Sequence, residues 1–270
     1  MYIDRSISGV VCTWENAHVE HKIETHRGTL VEMVNHPDWG IACYMDHDIQ
    51  SSTLDKHIYH EALVHPAMAQ QVQPKRVMIL GGGEGATAHE VLKWPTVERV
   101  DMYEWDRDVI DLFKTKYPQW AMGAWDDPRL HVHTEDVMDV IQTIPDMPYD
   151  VIIVDLFEPS IDMMVTWRKI MIGLSQWITP AGSVVLYSGA LSRFSSRGSV
   201  LYPYQRLRAL IRSSPLWASR RIIPYHFYLP CFMEEASCLL LATHAPIGLH
   251  HQWCGHMNQA TWHAYTHFIT

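Results

Sequence analysis

The sequence is short of the features that mark several classes of protein. Its five cysteines are scattered over 270 residues with no CxxC pair, which argues against a disulfide framework and predicts reduced thiols. No uncharged apolar run reaches about 18 residues, so a membrane-spanning helix is not expected. The start, MYIDRSISGVVCTWEN, lacks the basic and apolar stretches of a signal peptide. We therefore expect a cytoplasmic protein without membrane partners.

Basic residues are also too few for a nucleic-acid partner. Lysine and arginine number 21 against 30 acids, which gives a formal net charge of −9. Nucleic-acid binding normally needs a basic face, whereas an acidic balance suits a cationic ligand. The charge therefore excludes one class of ligand and is compatible with another.

Histidine is abundant, and the C-terminal part of the chain carries a group of His and Cys side chains. The sequence has 18 histidines but no HExxH motif and no tight Cys/His framework. Exposed or packed histidines are the better interpretation, so we predict no metal site. The group that invites the metal interpretation is His250, His251, Cys254, His256, His263 and His267.

Alternation of apolar segments predicts an α/β fold. Residues 1–56 contain short strand-like runs, two of them around Gly28, and indicate a small N-terminal antiparallel β domain. From Lys75 onward, strand and helix patterns alternate, which calls for a doubly wound parallel sheet with helices on both faces. Residues 57–270 are predicted to form this second domain, with residues 57–71 as a helix that Pro66 bends or ends. RRIIPYHFYL and SCLLLATHA are expected to add an antiparallel edge.

Acidic residues follow four of the predicted strands. Glu84 lies after the first strand of the large sheet, Glu104 ends the second, Asp136 the third and Asp155 the fourth. Ligands of doubly wound sheets bind beyond the carboxyl ends of the strands, so the four acids should meet at one site. Turns favour Asp on backbone grounds alone, but four acids on one edge favour function.

The turn GGGEGAT is a poor phosphate site because it carries a carboxylate. Such turns usually bind phosphate through bare backbone N–H groups, which Glu84 would oppose. Glu104 lies about 20 residues farther on, where a carboxylate binds ribose hydroxyls in nucleoside-binding folds. S-adenosylmethionine and its decarboxylated form fit this pattern, since both carry a sulfonium and an amine and no phosphate.

Several runs resemble the polyamine aminopropyltransferases, the spermidine synthase family, over nearly the whole chain. They are DKHIYHEALVHPA, GGGEGAT with HEVLKWPTVERV, DDPRL with TED, and YDVIIVDLFEP. GGGEG and PQWAMGAWDDPRL look closer to the thermospermine and agmatine-using branch. The resemblance implies a Rossmann-like, methyltransferase-type fold, assembled as dimers or tetramers. It also implies decarboxylated S-adenosylmethionine as co-substrate, an amine acceptor, 5'-methylthioadenosine as product, and no other cofactor.

The donor contacts that the resemblance implies lie around the glycine turn. Glu104 would hold the ribose hydroxyls, and Asp136 with Val137 the adenine. Glu84 would face the terminal amine of the aminopropyl group or the acceptor. The full donor set is Gly81, Gly83, Glu84, Glu104, Asp136, Val137 and Gln50.

The acceptor contacts that it implies lie near the end of the fourth strand of the large sheet. Asp155 would be the catalytic base, and it is also the best candidate from chemistry, because only a deprotonated amine attacks carbon. Tyr59 and His60 would line the junction between donor and acceptor, although both residue types also pack helices against sheets. The full acceptor set is Tyr59, His60, Glu84, Asp155 and Glu158.

The chain departs from the family pattern in its gate and at the residues just before the first helix. Glu158 and Pro159 are followed by SIDMMVTWRK, a shortened gate without glycine, so Glu158 can also be read as an ordinary turn acid. Asp55-Lys56 places a cation near the site. Glu234 and Glu235 are equally interpretable as acceptor contacts or as a solvated turn, and Trp14 is expected to pack rather than to bind.

Three functions are compatible with these residues. Aminopropyl transfer is the leading hypothesis. A small-molecule N-methyltransferase on the same scaffold would use intact S-adenosylmethionine, whose carboxylate would lie unfavourably near Glu84. A nucleoside- or polyamine-binding protein with a degenerate gate would bind without turnover.

Overall fold

A computed structural model describes residues 1–6, 10–191, 202–243 and 255–267. Its N-terminal part forms two small antiparallel sheets, β1 with β2 and β3 through β6. The predicted hairpin around Gly28 is confirmed, because β3 and β4 pair across a turn in which Gly28 has a φ of 85°. The strands are β1 (Tyr2–Asp4), β2 (Cys12–Trp14), β3 (His18–Glu24), β4 (Leu30–His36), β5 (Gly40–Met45) and β6 (Asp48–Ser52).

The remainder of the described chain alternates helices and strands as predicted. The helices are α1 (Lys56–Met68), α2 (Ala86–Leu92), α3 (Arg107–Thr115), α4 (Val137–Val140), α5 (Met164–Trp177), α6 (Pro203–Arg212) and α7 (Gln259–His267). The strands are β7 (Arg76–Gly81), β8 (Arg99–Tyr103), β9 (Leu130–His133), β10 (Tyr149–Asp155), β11 (Ile178–Ala190), β12 (Arg221–Leu229) and β13 (Glu234–Ala242).

These seven strands form one sheet in the order β12-β13-β11-β10-β7-β8-β9. Strands β7 to β11 run parallel, while β13 is antiparallel to both β11 and β12, so the predicted antiparallel edge is confirmed. Successive strands move outward from β7 to β9, and the chain then returns to place β10 on the other side of β7. The strand order therefore reverses between β7 and β10, which is where doubly wound sheets bind ligands.

Strands β7 and β10 are buried on both faces because they are almost wholly apolar. Side chains alternate between faces along a strand, and Val77 and Ile79 enter one hydrophobic cluster while Met78 and Leu80 enter another. Helices α1 and α2 pack in the first cluster and α5 and α6 in the second. This two-sided core fixes the carboxyl ends of both strands.

Two predicted helices end elsewhere than expected. Pro66 lies inside α1, which continues to Met68. A proline removes the N–H that would bind the carbonyl of Ala62, and the Tyr225 hydroxyl donates to that oxygen instead at 2.8 Å. Helix α4 covers only Val137–Val140, about half of the run DVMDVIQTI that the alternating pattern predicts as a helix, and single turn-type backbone hydrogen bonds continue to Thr143.

Candidate active site

A cavity of about 810 Å³ lies at the carboxyl ends of the parallel strands. Its walls include all four acids that follow strands β7 to β10. Asp155 pairs with Gly81 in the ladder between β10 and β7, so the last residue of β10 lies directly at the reversal of strand order. The cavity is lined by every predicted site residue, namely Gln50, Tyr59, His60, Gly81, Gly83, Glu84, Glu104, Asp136, Val137, Asp155 and Glu158.

The glycines of the turn are needed because other backbone and side-chain atoms approach them closely. Gly81 has a φ of 85°, and a Cβ there would lie 2.0 Å from the carbonyl oxygen of Asp155. A Cβ on Gly83 would lie 2.9 Å from the carboxylate of Glu104. Both contacts are shorter than real Cβ contacts, so these positions require glycine and bring the turn against two of the acids.

Glu104 and Asp136 both line the cavity and are both held by backbone N–H groups. Glu104 accepts hydrogen bonds from the backbone N–H groups of Gly83 at 3.2 Å and Asp106 at 3.0 Å. Burial raises the pKa of Glu104, and these backbone donors oppose the rise. Asp136 caps α4 by accepting from the N–H of Met138 at 2.8 Å, and Val137 begins that helix. The backbone thus fixes both carboxylates, with free acceptor capacity for a ligand.

Asp155 lines the cavity and receives two hydroxyl donors. The Tyr59 hydroxyl donates to Oδ1 at 2.6 Å, and the Thr87 hydroxyl donates to Oδ2 at 3.0 Å. Burial raises the pKa of Asp155 above its usual range, while nearby His60 and both hydroxyls act in the opposite direction. A carboxylate with a raised pKa, facing a cavity, is suited to accept a proton from a ligand.

Glu84 is held by the protein on both of its oxygens. His60 Nε2 lies 2.5 Å from Oε1, and the Ser51 hydroxyl donates to Oε2 at 2.5 Å. The other ring nitrogen of His60 lies 3.0 Å from the Thr87 hydroxyl oxygen. The turn acid is therefore fixed in orientation, and only 13% of its side-chain surface remains accessible.

Glu158 and Gln50 also line the cavity. The side chain of Glu158 packs closely against Gly189, where an added Cβ would lie only 2.8 Å from it. Burial raises the pKa of Glu158. Gln50 is exposed, and its amide donates to the carbonyl oxygen of Asp48 at 3.0 Å. Glu158 is thus half-buried and fitted into the wall, whereas Gln50 is an exposed residue of β6.

Other side chains of the site were not predicted. Thr87 directly follows the glycine turn, and its place at the start of α2 was the one local signal for it. Ser51 donates to Glu84, and Trp120 donates to Ser51; both come from distant parts of the chain, so no motif indicates them. The cavity is also lined by Asp46, Asp48, Tyr103, Trp105, Asp106, Tyr187 and Phe232, which no sequence motif indicates.

The remaining sequence predictions have mixed outcomes. Trp14 packs against His36 and Trp39, as the packing interpretation predicts. Lys56 turns away from the cavity and donates to the carbonyl oxygen of Trp120 at 3.3 Å. Glu234 lines the cavity. Glu235 does not line it, and its carboxylate lies 2.8 Å from the His226 ring instead.

The C-terminal histidines make ordinary contacts where they are described. His256 meets the Tyr265 hydroxyl, and His263 lies 3.0 Å from the Gln259 amide. Within residues 1–6, 10–191, 202–243 and 255–267, no three His, Cys, Asp or Glu side chains are grouped to hold a metal ion. His250, His251 and Cys254 lie outside the described residues. None of the helices in the described part of the chain is long and apolar enough to cross a membrane.

The reversed strand order and the cavity at the carboxyl edge define an α/β protein of the Rossmann-like, methyltransferase type, preceded by a small antiparallel β region. Two solved structures of spermidine synthase share this fold. The protein from Thermotoga maritima superposes with a TM-score of 0.79 over 98% of this chain and 90% of its own, at 20% identity. A spermidine synthase in complex with the transition state analogue AdoDATO gives a TM-score of 0.80 at the same identity and coverage.

The chain belongs to the spermine/spermidine synthase family, whose domain matches residues 56–191. A polyamine aminopropyltransferase of Pyrobaculum calidifontis is 41% identical over 157 residues, which are 56% of this chain and 54% of that protein. Polyamine aminopropyltransferase 1 of Hyperthermus butylicus is 46% identical over 123 residues, 45% of this chain and 42% of that protein. The chain thus spans about half the length of the curated relatives it matches.

Proposed function

We propose that the protein transfers an aminopropyl group from decarboxylated S-adenosylmethionine to an amine in polyamine biosynthesis and releases 5'-methylthioadenosine. Family membership supports this function, as do relatives named polyamine aminopropyltransferase. The single observation that carries it is the position of Asp155, partly buried at the strand reversal and bound by the Tyr59 hydroxyl at 2.6 Å.

The proposed reaction is a displacement at carbon. The lone pair of the acceptor nitrogen forms a bond to the aminopropyl carbon next to sulfur, and the C–S bond electrons remain on sulfur. The acceptor must first lose a proton, since amines have a pKa near 10 and are protonated at neutral pH. Asp155 receives that proton, a role typically worth about 10²–10⁴-fold in rate. The sulfonium is already a good leaving group, so positioning supplies most of the remainder and no metal or further cofactor is needed.

The donor is proposed to lie across the glycine turn. Glu104, held by two backbone N–H groups, offers oxygens to the ribose hydroxyls, and Asp136 with Val137 faces the adenine. The glycines at 81 and 83 allow the backbone to approach, and Gln50 would contact the donor from β6. A nucleoside without phosphates suits a turn that contains a carboxylate.

The acceptor is proposed to lie between Asp155 and the half-buried Glu158, next to Tyr59, His60 and Glu84. Glu158 has Glu234 and Asp48 near enough to raise its pKa further beyond the effect of burial. This concentration of acids favours a polycation, which supports putrescine, agmatine or spermidine as the acceptor. Membership of the thermospermine and agmatine branch remains a prediction from GGGEG and PQWAMGAWDDPRL.

The alternative functions are less well supported. The relatives that match are named for aminopropyl transfer, so N-methyl transfer is not favoured. A protein that binds without turnover would have no use for Asp155 as a base. Assembly as a homodimer or homotetramer, a cytoplasmic location and a division into domains at residue 56 remain predictions from the sequence and the resemblance.

A panel of amines tests the proposed function. The protein is incubated with decarboxylated S-adenosylmethionine and, separately, putrescine, agmatine, cadaverine or spermidine, and methylthioadenosine is measured by chromatography. We expect release with at least one acceptor and none without an acceptor. Absence of methylthioadenosine with every amine, from protein that binds the donor in a thermal shift assay, would reject aminopropyl transfer.

A further inference from the structure

A continuous chain of hydrogen bonds joins an indole in the protein core to the proposed catalytic base. Each link is between 2.5 and 3.0 Å long. The order is Trp120 Nε1, Ser51 Oγ, Glu84 Oε2 and Oε1, His60 Nε2 and Nδ1, Thr87 Oγ1 and Asp155 Oδ2. The number of protons that this chain can hold follows from the donors and acceptors at its two ends.

At the first end of this series of hydrogen bonds, Trp120 fixes the direction of donation, because an indole N–H can only donate. Ser51 therefore accepts from Trp120, at 2.9 Å, and has one hydroxyl proton left to give. That proton goes to Glu84 Oε2 at 2.5 Å. Oε2 is consequently an acceptor and carries no proton of its own.

The other end is fixed by Asp155, which can only accept when it is ionised. Thr87 then gives its one proton to Asp155, at 3.0 Å. The Thr87 oxygen is left as an acceptor, so the ring nitrogen 3.0 Å away, His60 Nδ1, must carry a proton. The ionised base thus determines the protonation of a histidine that it does not touch.

The middle of the chain requires one more proton. Glu84 Oε1 and His60 Nε2 lie 2.5 Å apart, and two bare lone pairs at that distance would repel each other. Because His60 Nδ1 is already protonated, the proton between the two groups is additional to a neutral imidazole. The pair therefore holds a proton as imidazolium with carboxylate or as imidazole with carboxylic acid, and its net charge is zero in both forms.

We propose that Thr87 is a positioning residue that couples Asp155 to a proton stored between Glu84 and His60. This inference rests on the proposed function, because Asp155 is assigned there as the base. Thr87 has one hydroxyl proton and two neighbours that need it. When that proton points to Asp155, the base is ionised and ready; when it points to His60, the base must itself be protonated.

The two arrangements have the same number of protons. In the ready arrangement, His60 is protonated on both nitrogens and Asp155 is ionised, so the groups Glu84, His60 and Asp155 have a net charge of −1. Transfer of the Thr87 proton to Asp155 and of the His60 Nδ1 proton to Thr87 gives neutral His60, ionised Glu84 and protonated Asp155. The net charge is again −1, and no atom or electron pair leaves the site.

Other groups facing Asp155 do not replace Thr87 in this role. Tyr59 donates to the opposite carboxylate oxygen, Oδ1, so it does not compete for Oδ2. The ionisable and polar groups around Asp155, from each element packed against it, are Tyr59 and His60 of α1, Glu84 of the glycine turn, Thr87 of α2, Tyr187 of β11 and Cys238 of β13.

The stored proton is tested without any reaction by nitrogen NMR of the ligand-free full chain with labelled histidine. The signals of His60 are assigned by their loss in His60→Gln. We expect protonated Nδ1 at pH 8 and a Nε2 that shares a proton with Glu84. A bare Nδ1 while the Asp155 carboxylate is ionised, as followed by carbon NMR of labelled aspartate, would overturn the inference whether or not the protein transfers aminopropyl groups.

The role of Thr87 is tested by comparing Thr87→Val with Thr87→Ser. Valine keeps the shape without the hydroxyl, so ionised Asp155 loses a donor and needs a higher pH to ionise. We expect the acid limb of the kcat–pH profile to move up by about one pH unit in the valine variant and to stay in place in the serine variant. Rates well above the limb should remain within about threefold of the parent, and KM for the donor should not change.

Two results would contradict this role. One is an unmoved acid limb, and the other is a loss of kcat by the same factor at every pH in both variants, which indicates distorted packing. Should the valine variant fail to fold, as seen by circular dichroism, Thr87→Ala takes its place as the variant without a hydroxyl, and the parent NMR spectrum still tests the stored proton. A parent protein without turnover would reject the proposed function and leave the NMR result as the test of the stored proton.

Discussion

Helix α1 carries two histidines that each pair with a glutamate, yet the two histidines differ in the group that their second ring nitrogen contacts. His60 meets Glu84 at 2.5 Å in the cavity wall, and His65 meets Glu90 at 3.0 Å in the core. The second nitrogen of His65 accepts from the Trp94 indole at 3.1 Å, whereas that of His60 faces a hydroxyl that can either give or accept.

This difference separates a structural pair from a reactive one. The indole holds His65 Nδ1 as an acceptor, so neutral His65 donates from Nε2 to Glu90 and needs no further proton. Lys93 balances the charge of Glu90 at 2.6 Å. His60 has no such fixed tautomer, and its state follows that of Asp155. The two histidines of α1 thus have different functions because Nδ1 of His65 contacts an indole N–H and Nδ1 of His60 contacts a hydroxyl.

The largest effect is expected from Asp155→Asn. Loss of the base should lower kcat by about 10²–10⁴-fold. The melting temperature at neutral pH should not fall, because the pKa of Asp155 is raised in the fold and its ionised form therefore lowers stability as pH rises above its usual range. Rate and melting temperature are measured on the same preparation, and a rate within threefold of the parent would remove Asp155 from the mechanism.

The matched substitutions Glu90→Gln and Glu84→Gln test the comparison itself. Burial opposes ionisation of Glu90, but hydrogen bonds from His65 and Lys93 lower its pKa to about 2. Breaking that buried pair should cost about 3 kcal/mol of unfolding free energy. Glu84→Gln should cost less, about 1 kcal/mol, while lowering kcat. Urea unfolding and turnover are measured for both; equal losses of stability would show that the pairs are not different in kind.

Acid unfolding is a second test of the pair formed by His65 and Glu90. Glu90 has a folded pKa of about 2, below its ordinary value of 4.5, so its stabilising contribution is complete above 4.5 and is lost as pH falls toward 2. The slope of unfolding free energy against pH in this range should be smaller in Glu90→Gln than in the parent. An unchanged slope would assign the acid sensitivity to other carboxylates.

A smaller effect is expected from Tyr59→Phe. The phenol donates to Asp155 Oδ1 and opposes the rise of the Asp155 pKa, so its loss should move the acid limb of the kcat profile upward and lower kcat near neutral pH by about tenfold. The Tyr225→Phe substitution is a matched control, since that buried hydroxyl donates to the Ala62 carbonyl away from the cavity. A pH limb that moves equally in both variants would contradict a specific role for Tyr59.

The smallest effect is expected at the surface pair of His26 and Asp108. Its ring and carboxylate lie 2.6 Å apart, but 96% of the His26 side chain is accessible, so water screens the interaction. His26→Ala should leave the melting temperature and the kcat profile unchanged within error. A clear drop in melting temperature would show that the hairpin turn of the N-terminal sheet contributes more than its exposed contact suggests.

The sequence predicted what repeats along the chain and missed what converges from distant segments. Alternating apolar runs predicted the parallel sheet, and the acids Glu84, Glu104, Asp136 and Asp155 could be placed at its carboxyl edge because parallel strands end on the same side. Ser51 and Trp120 lie 69 residues apart, and their hydrogen bond follows from tertiary packing alone. The sequence left open whether Pro66 bends or ends α1, and the continuation to Met68 depends on Tyr225, which supplies the missing donor from β12.

The most direct test of aminopropyl transfer with Asp155 as base is a product assay by mass spectrometry. The protein and Asp155→Asn are each incubated with decarboxylated or intact S-adenosylmethionine and the acceptor that gave the strongest release. We predict an amine heavier by one aminopropyl group and methylthioadenosine from the decarboxylated donor only, with both products reduced at least about 10²-fold in the variant. A methylated amine with S-adenosylhomocysteine, or equal product from both proteins, would contradict the account.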